Sequence, residues 1–151
     1  MNIDERRKEM FKKFATIEWG HHQCGRGSCF ENTKLTRNLL ERCIQKYDIK
    51  TVSDAGAGDM SWIKTLNWNV EYTGYDIRQW TSDIVLFDVT KDVLPKTDLI
   101  LCRHVLNHLD GELAEEARNR FEESKSKYIL ITCSGGGYDH LVKKWGEPLE
   151  K

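Results

Sequence analysis

The sequence has no long apolar run, no excess of one charge, no paired cysteine framework and no internal repeat. Each absence closes a class. No stretch approaches the roughly 18 consecutive apolar residues of a spanning helix, so no membrane span is expected. The first residues, Met1-Asn2-Ile3-Asp4-Glu5-Arg6-Arg7, lack the apolar core of a secretory leader, which points to a cytoplasmic protein. A net charge of −1 argues against a broad basic footprint for nucleic acid. Five cysteines are an odd number without framework spacing, as expected of reduced thiols in a cytoplasm. What remains is a 151-residue chain, 39% apolar and 31% charged, long enough to bury one core. A single domain is expected over 1–151. It divides into N-terminal helices and a flap over 1–47, a core sheet over 50–133 and a C-terminal tail helix over 134–151.

The stretch from Val52 to Ile77 organises the rest. It reads Val52-Ser53-Asp54-Ala55-Gly56-Ala57-Gly58-Asp59, a short helical segment from Met60 to Leu66, then Val70 to Ile77 with Asp76 at its end. This is strand, glycine turn, helix and strand. The two glycines let backbone N–H groups approach a ligand where a Cβ would collide, and a helix start leaves further donors there. Asp76 stands 18 positions after Gly58, the reach needed for a carboxylate to bind a ribose diol. The dinucleotide fingerprint G-x-G-x-x-G is incomplete, because Ser61 occupies its third position, so a nicotinamide dehydrogenase is disfavoured. The competing reading is an ordinary strand-to-helix turn.

The remaining segments follow in order. Met1 to Phe14 reads as a helix with Ile3, Met10, Phe11 and Phe14 near one face; it is a packing helix or a lid. Trp19 to Phe30 reads as a glycine-rich loop. It is either a flap whose Ser28 hydroxyl touches a cofactor or a metal site of His21, His22, Cys24 and Cys29. A second ligand pair is missing, so no metal is assigned. Asn32 to Tyr47 reads as a helix capped by Asn32, with a stripe of Leu35, Leu39, Leu40, Cys43, Ile44 and Tyr47. Its Arg37 is a surface residue or the partner of a carboxylate. Trp62 is assigned to the core.

After Asp76 only six residues, Ile77 to Ser82, precede the next strand-like run, Asp83 to Val89. A parallel crossover normally takes a dozen or more residues and a helix, so a bare loop is expected. Asp88 ends that run. It either accepts from an adenine amine or caps the following turn. Asp98 to Cys102 reads as a buried parallel strand, Asp110 caps a helix through Ser124, and Lys127 to Cys133 is the last strand. Tyr138, Leu141, Val142 and Trp145 read as a short amphipathic helix.

Asp-x-Gly-x-Gly followed by a strand ending in Asp resembles the nucleotide site of class I S-adenosylmethionine-dependent methyltransferases. The segment Leu94-Pro95-Lys96-Thr97-Asp98-Leu99, then Cys102-Arg103, then His108-Leu109 resembles a small bacterial and phage group within that class. That group reads LP-x-x-DL, CRD and HL. Gly58-Asp59 with Trp62, and Glu31-Asn32-Thr33 upstream, are similar to the same group's CGD-x-x-W, with Ala57 in place of the Cys, and to its ENT. The similarity covers about Gly25 to Thr132.

The resemblance implies an α/β, Rossmann-like three-layer sandwich. Its mostly parallel sheet has about five strands in order 3-2-1-4-5; as a departure from the class, the usual sixth and seventh strands are expected to be lacking, because only 18 residues follow Cys133. It implies S-adenosylmethionine as cofactor, S-adenosylhomocysteine as product, and methyl transfer to an unidentified acceptor. By motif position Asp54, Gly56 and Gly58 line the amino-acid end, Asp76 holds the ribose and Asp88 the adenine amine. Ile77, Val89, Cys102, Arg103 and Ser28 complete the expected site. Where the group has Asp after Cys-Arg, this chain has His104. His104 is therefore the candidate base, since imidazole titrates near neutrality, and His108 is the second. A homodimer or partner chain is expected over the bare sheet edge. The alternative function is a cofactor-binding module or partner subunit without its own transferase activity, or one consuming S-adenosylmethionine by another reaction.

Overall fold

The structure is a computed structural model that describes residues 1–18 and 28–132, together with the backbone of two strands, His140–Val142 and Pro148–Glu150. Helix α1 spans Ile3–Thr16, α2 Lys34–Lys46 and α3 Gly111–Glu123. Strands β1 (Thr51–Ala55), β2 (Glu71–Asp76), β3 (Val85–Leu86), β4 (Leu99–Arg103) and β5 (Tyr128–Thr132) are parallel, in order 3-2-1-4-5. That is the expected order.

Two features of the far edge differ from expectation. The sheet does have a sixth and a seventh strand, β6 (His140–Val142) and β7 (Pro148–Glu150). β6 pairs antiparallel with β5, Ile131 opposite His140, and β7 pairs antiparallel with β6. The segment read as a tail helix is therefore strand at Leu141 and Val142. A short apolar run fits either period, and the open N–H and C=O row of β5 selects the extended form. That edge is covered from within the chain.

β4 is buried along its whole length, and its side chains alternate between the two faces. Leu99 and Leu101 join Val52, Leu130, Trp62 and α2's Leu39, Leu40 and Cys43 on one face. Ile100 and Cys102 join Ala55, Ile129, Ile131 and α3's Ala117 and Phe121 on the other. Three layers follow from this alternation.

The local signals explain the helix ends. Asn2 and Glu5 form a reciprocal capping box on α1, and Asp110 caps α3 through Leu113 N–H at 3.0 Å. Asn32 does not cap α2. A 3-10 turn, Glu31–Thr33, precedes that helix and makes Thr33 the flanking residue. Leu35 is 80% exposed, because it flanks a stripe centred on Thr36, Leu39, Leu40 and Cys43. Phe11 is likewise exposed rather than on the packed face of α1. Between β2 and β3 no helix forms, as expected. The Gln79 side chain closes that loop by donating to the carbonyls of Thr81 and Ile84, at 2.7 and 2.6 Å.

Candidate cofactor site

In an open parallel sheet, ligands bind beyond the strand ends where the strand order reverses. Here that point lies between β1 and β4. Two loops meet there. Gly56 has φ +95°, and a Cβ on it would stand 2.2 Å from Val105 Cγ2. Val105, in the loop after β4, therefore requires a glycine here.

The turn's donors are also engaged. Tyr75 O accepts from the N–H groups of Gly56 and Ala57 at 2.8 and 3.0 Å, and Gly58 N–H donates to Asp76 Oδ2 at 2.9 Å. The expected helix from Met60 to Leu66 is a single 3-10 turn at Ile63–Thr65. The glycine turn therefore offers neither a row of free N–H groups nor a helix start. It docks onto the end of β2 and holds that strand's carboxylate in place.

Two carboxylates define the site. Asp54, at 2% exposure, accepts from the Tyr72 hydroxyl at 2.6 Å. Burial pushes its pKa up to about 7, while the Tyr72 hydrogen bond and the Arg103 charge oppose the shift and Asp76 adds to it. The Tyr72 hydroxyl is in turn driven upward by its own burial and then by Asp54, so it stays protonated as the donor. Asp76, half-buried, accepts from Gly58 N–H and from Arg78 N–H at 3.1 Å. Burial raises its pKa, opposed first by those N–H groups and then by weaker support from Trp80 and Ile77. An ionised carboxylate has about four acceptor positions. The donors already on the Asp76 carboxylate come from Gly58, Arg78, Trp80 and Ile77, which surround the end of β2.

Asp88 takes the capping role. Its Oδ1 accepts from Thr90 N–H and Oγ1 at 2.9 and 2.7 Å. Cys102 points into the α3 face and is packed in its core. Arg103 points to the α2 face. Its Nε donates to Thr36 Oγ1 at 3.2 Å, its Nη2 to Asn32 O at 3.1 Å, and its guanidinium lies 5.6 Å from the Trp62 ring. Arg103 thus ties the strand end to the turn that carries Asn32, and Trp62 is core. Arg37 stacks on Phe30 at 3.7 Å and donates to Phe30 O and Thr33 Oγ1. It braces the end of the flap. Ser28, Ile77 and Val89 are half-buried. The rest of the flap, with His21, His22 and Cys24, lies outside the described residues; Cys29 is a half-buried free thiol.

His104 directly follows β4 with φ +52°, a left-handed backbone costly for a non-glycine residue. Its N–H donates to Thr132 O at 3.2 Å, beyond the end of the β4–β5 ladder. His108 belongs to a separate 3-10 turn, Leu106–His108, and meets Phe14 of α1 at 5.4 Å between ring centres. Partial burial, then the Lys13 charge, lowers its pKa. The two imidazoles do not share a helical face.

Helix α1 crosses this same edge. Arg7 Nε donates to Thr90 Oγ1 at 3.0 Å, Arg6 pairs with Asp110 at 3.6 Å and with Glu112, and Arg78 Nη1 donates to Ile17 O at 3.0 Å. These partners follow β2, β3 and β4. α1 therefore lies over the carboxyl edge, yet none of its residues is buried.

No protein-family model matches the chain, and no curated protein matches it in sequence. Solved structures do match in shape. The magnesium protoporphyrin IX methyltransferase of Synechocystis PCC 6803, solved with bound S-adenosylmethionine, aligns with TM-score 0.64 at 14% identity over 89% of this chain and 79% of its own. The methyltransferase domain of a bacterial HEN1 aligns with TM-score 0.55 at 16% identity over 66% of this chain. The chain spans 65% of that domain's length. This is the class I methyltransferase fold.

Within this fold Asp54 lies on β1, beside the switch point, and Asp76 ends the neighbouring β2. The [4+2]-cyclase SpnF also aligns, with TM-score 0.54 at 13% identity over 78% of this chain and 52% of its own, so the fold alone does not fix the reaction. Two residues escaped sequence reading. Tyr72 is set opposite Val52 by register, which brings it to Asp54; no local motif marks that pairing. Arg78, two residues past Asp76, carried a signal in its position. Among the described residues no group of three or more His, Cys, Asp or Glu could hold a metal ion, and no helix is long and apolar enough to cross a membrane.

Proposed function

We propose that the chain binds S-adenosylmethionine across the ends of β1 and β2 and transfers its methyl group to an acceptor that enters beside β4. The observation that carries this reading is the pair of carboxylates on neighbouring strand ends, Asp54 fully buried and Asp76 half-buried and oriented by the Gly58 and Arg78 N–H groups. A buried anion with one neutral donor is poorly compensated, and a ligand ammonium beside Asp54 would relieve it. Asp76 would take the ribose hydroxyls. Asp88 keeps its second oxygen for an exocyclic amine while its first closes the turn. When bound, the cofactor supplies an activated methyl carbon and its own leaving group. The chain's residues then have to align and shield. α1 excludes water from the edge, and His104, held in its strained backbone by Thr132, receives a proton where the acceptor carries one.

Calorimetry with S-adenosylhomocysteine tests the binding. Asp76→Ala is expected to weaken it by about 2 kcal/mol; unchanged affinity refutes the ribose assignment. Formation of S-adenosylhomocysteine with an acceptor panel then tests transfer, and His104→Ala with retained binding but undiminished turnover removes the base. A second reading is a reaction of another kind in the same fold, for which the similarity to a [4+2]-cyclase speaks. Binding without methylated product from any acceptor would favour it.

A further inference from the structure

Arg78 joins three parts of the molecule. Its backbone N–H holds Asp76 Oδ1 at 3.1 Å. Its guanidinium lies 4.0 Å from the Trp80 ring and donates to the carbonyl of Ile17 at 3.0 Å. Trp80 is itself packed against the α2-face core, and its backbone N–H donates to Arg78 O at 2.9 Å. Ile17 is the residue that ends α1. A helix end leaves carbonyls without intrahelical partners and carries partial negative charge, so a guanidinium there satisfies an acceptor and complements the dipole. Stacking on an indole fixes the direction of the guanidinium fork. A rigid path therefore runs from the core through Trp80 and Arg78 to the end of α1, and the same residue sets the Asp76 carboxylate.

The stability of α1 makes the path consequential. α1 has no buried residue, and its anchors are polar contacts of Arg6, Arg7 and Arg78 and the Phe14–His108 ring contact. An element with so little apolar burial opens at low free-energy cost. What fixes the Arg78 segment favours the docked helix, and what releases the helix loosens that segment.

We propose that Arg78 is a positioning residue that couples the docking of α1 to occupancy of the Asp76 site. The ligand in this proposal, a nucleoside with a free ribose diol, rests on the function proposed above. By linkage, ligand at Asp76 stabilises docked α1 to the same extent that docked α1 tightens the ligand.

The test is hydrogen exchange of the α1 amides in the full chain, with and without S-adenosylhomocysteine, alongside calorimetry. In the natural chain the ligand should slow α1 exchange. Arg78→Ala should speed α1 exchange without ligand, weaken S-adenosylhomocysteine about tenfold and abolish the ligand's protection of α1. Arg78→Lys keeps the charge but loses the fork, and should fall between the two; it also stands in if the alanine variant does not fold. Unchanged affinity overturns the proposal. Lost affinity with unaltered α1 exchange overturns it too, since Arg78 would then touch the ligand directly. If the natural chain binds no S-adenosylhomocysteine, the functional reading fails by itself. The latch is then judged on the unliganded chain, where α1 exchange unaffected by Arg78→Ala overturns it and faster exchange sustains it.

Discussion

Asp54 makes binding of an ammonium-bearing ligand depend on pH, and the dependence has a definite sign. With its pKa at about 7, the carboxyl is ionised in roughly one molecule in ten at pH 6, half at pH 7 and nine in ten at pH 8. Binding that needs the carboxylate should therefore tighten about tenfold from pH 6 to pH 8. The ligand should expel about one proton at pH 6 and almost none at pH 8. Calorimetry of S-adenosylhomocysteine in buffers of different ionisation enthalpy reads both quantities. The charged groups around Asp54 are Asp76, which opposes ionisation, and Arg103, which favours it. Tyr72→Phe removes the hydroxyl that favours the anion, so the whole profile should move to higher pH. A flat affinity between pH 6 and 8, with heats independent of buffer, would refute the reasoning. The same group acts on stability. The folded chain keeps a proton that the unfolded chain sheds near pH 4. Stability from this group therefore falls as pH rises through about 4 to 7, by on the order of 4 kcal/mol in full.

Three further outcomes are expected. Gly56→Ala forces a Cβ onto Val105 at a left-handed φ and should cost about 2–4 kcal/mol in a denaturant titration. Phe121→Ala opens a cavity in the α3-face core and should cost about 3–5 kcal/mol, with S-adenosylhomocysteine affinity retained because Asp54 faces the other layer. Asp98 accepts from the N–H groups of Lys50 and Thr51 at 2.8 and 3.2 Å and pairs with Lys127 at 3.3 Å. The Lys50 N–H first, and its other partners after, lower its pKa against burial. Its contribution should be present above about pH 4 and be lost as pH falls through the depressed value. Asp98→Asn should cost about 1–2 kcal/mol and remove that acid-side dependence.

The legible and the hidden parts of this molecule divide by range. β4 and β5 could be read because buried parallel strands are short apolar runs, β1 and β2 because the glycine turn marks the end of one and the acid the end of the other, and their order followed from the motif resemblance. The bare loop after β2 followed from chain length alone. The start of α3 followed from Asp110, which caps its own backbone three residues on, whereas the Asn2–Glu5 capping box that starts α1 was not read from the sequence. By contrast, the Met60 segment and the cap of α2 were settled by packing: Trp62 and Ile63 are drawn into the core, and Arg103 fixes Asn32 O from far along the chain.

What the amino-acid order determined by itself was the set of groups that could do chemistry, the acids at two strand ends and the imidazole past the fourth. What the tertiary structure decided was how each group is held. Parallel register brought Tyr72 to Asp54, the turn's own N–H groups were given to β2, and α1 was laid over the edge through Arg7 and Arg78. The reason is physical. Spacing along a chain reports which residues share an element, while burial and charge at a site depend on which elements meet.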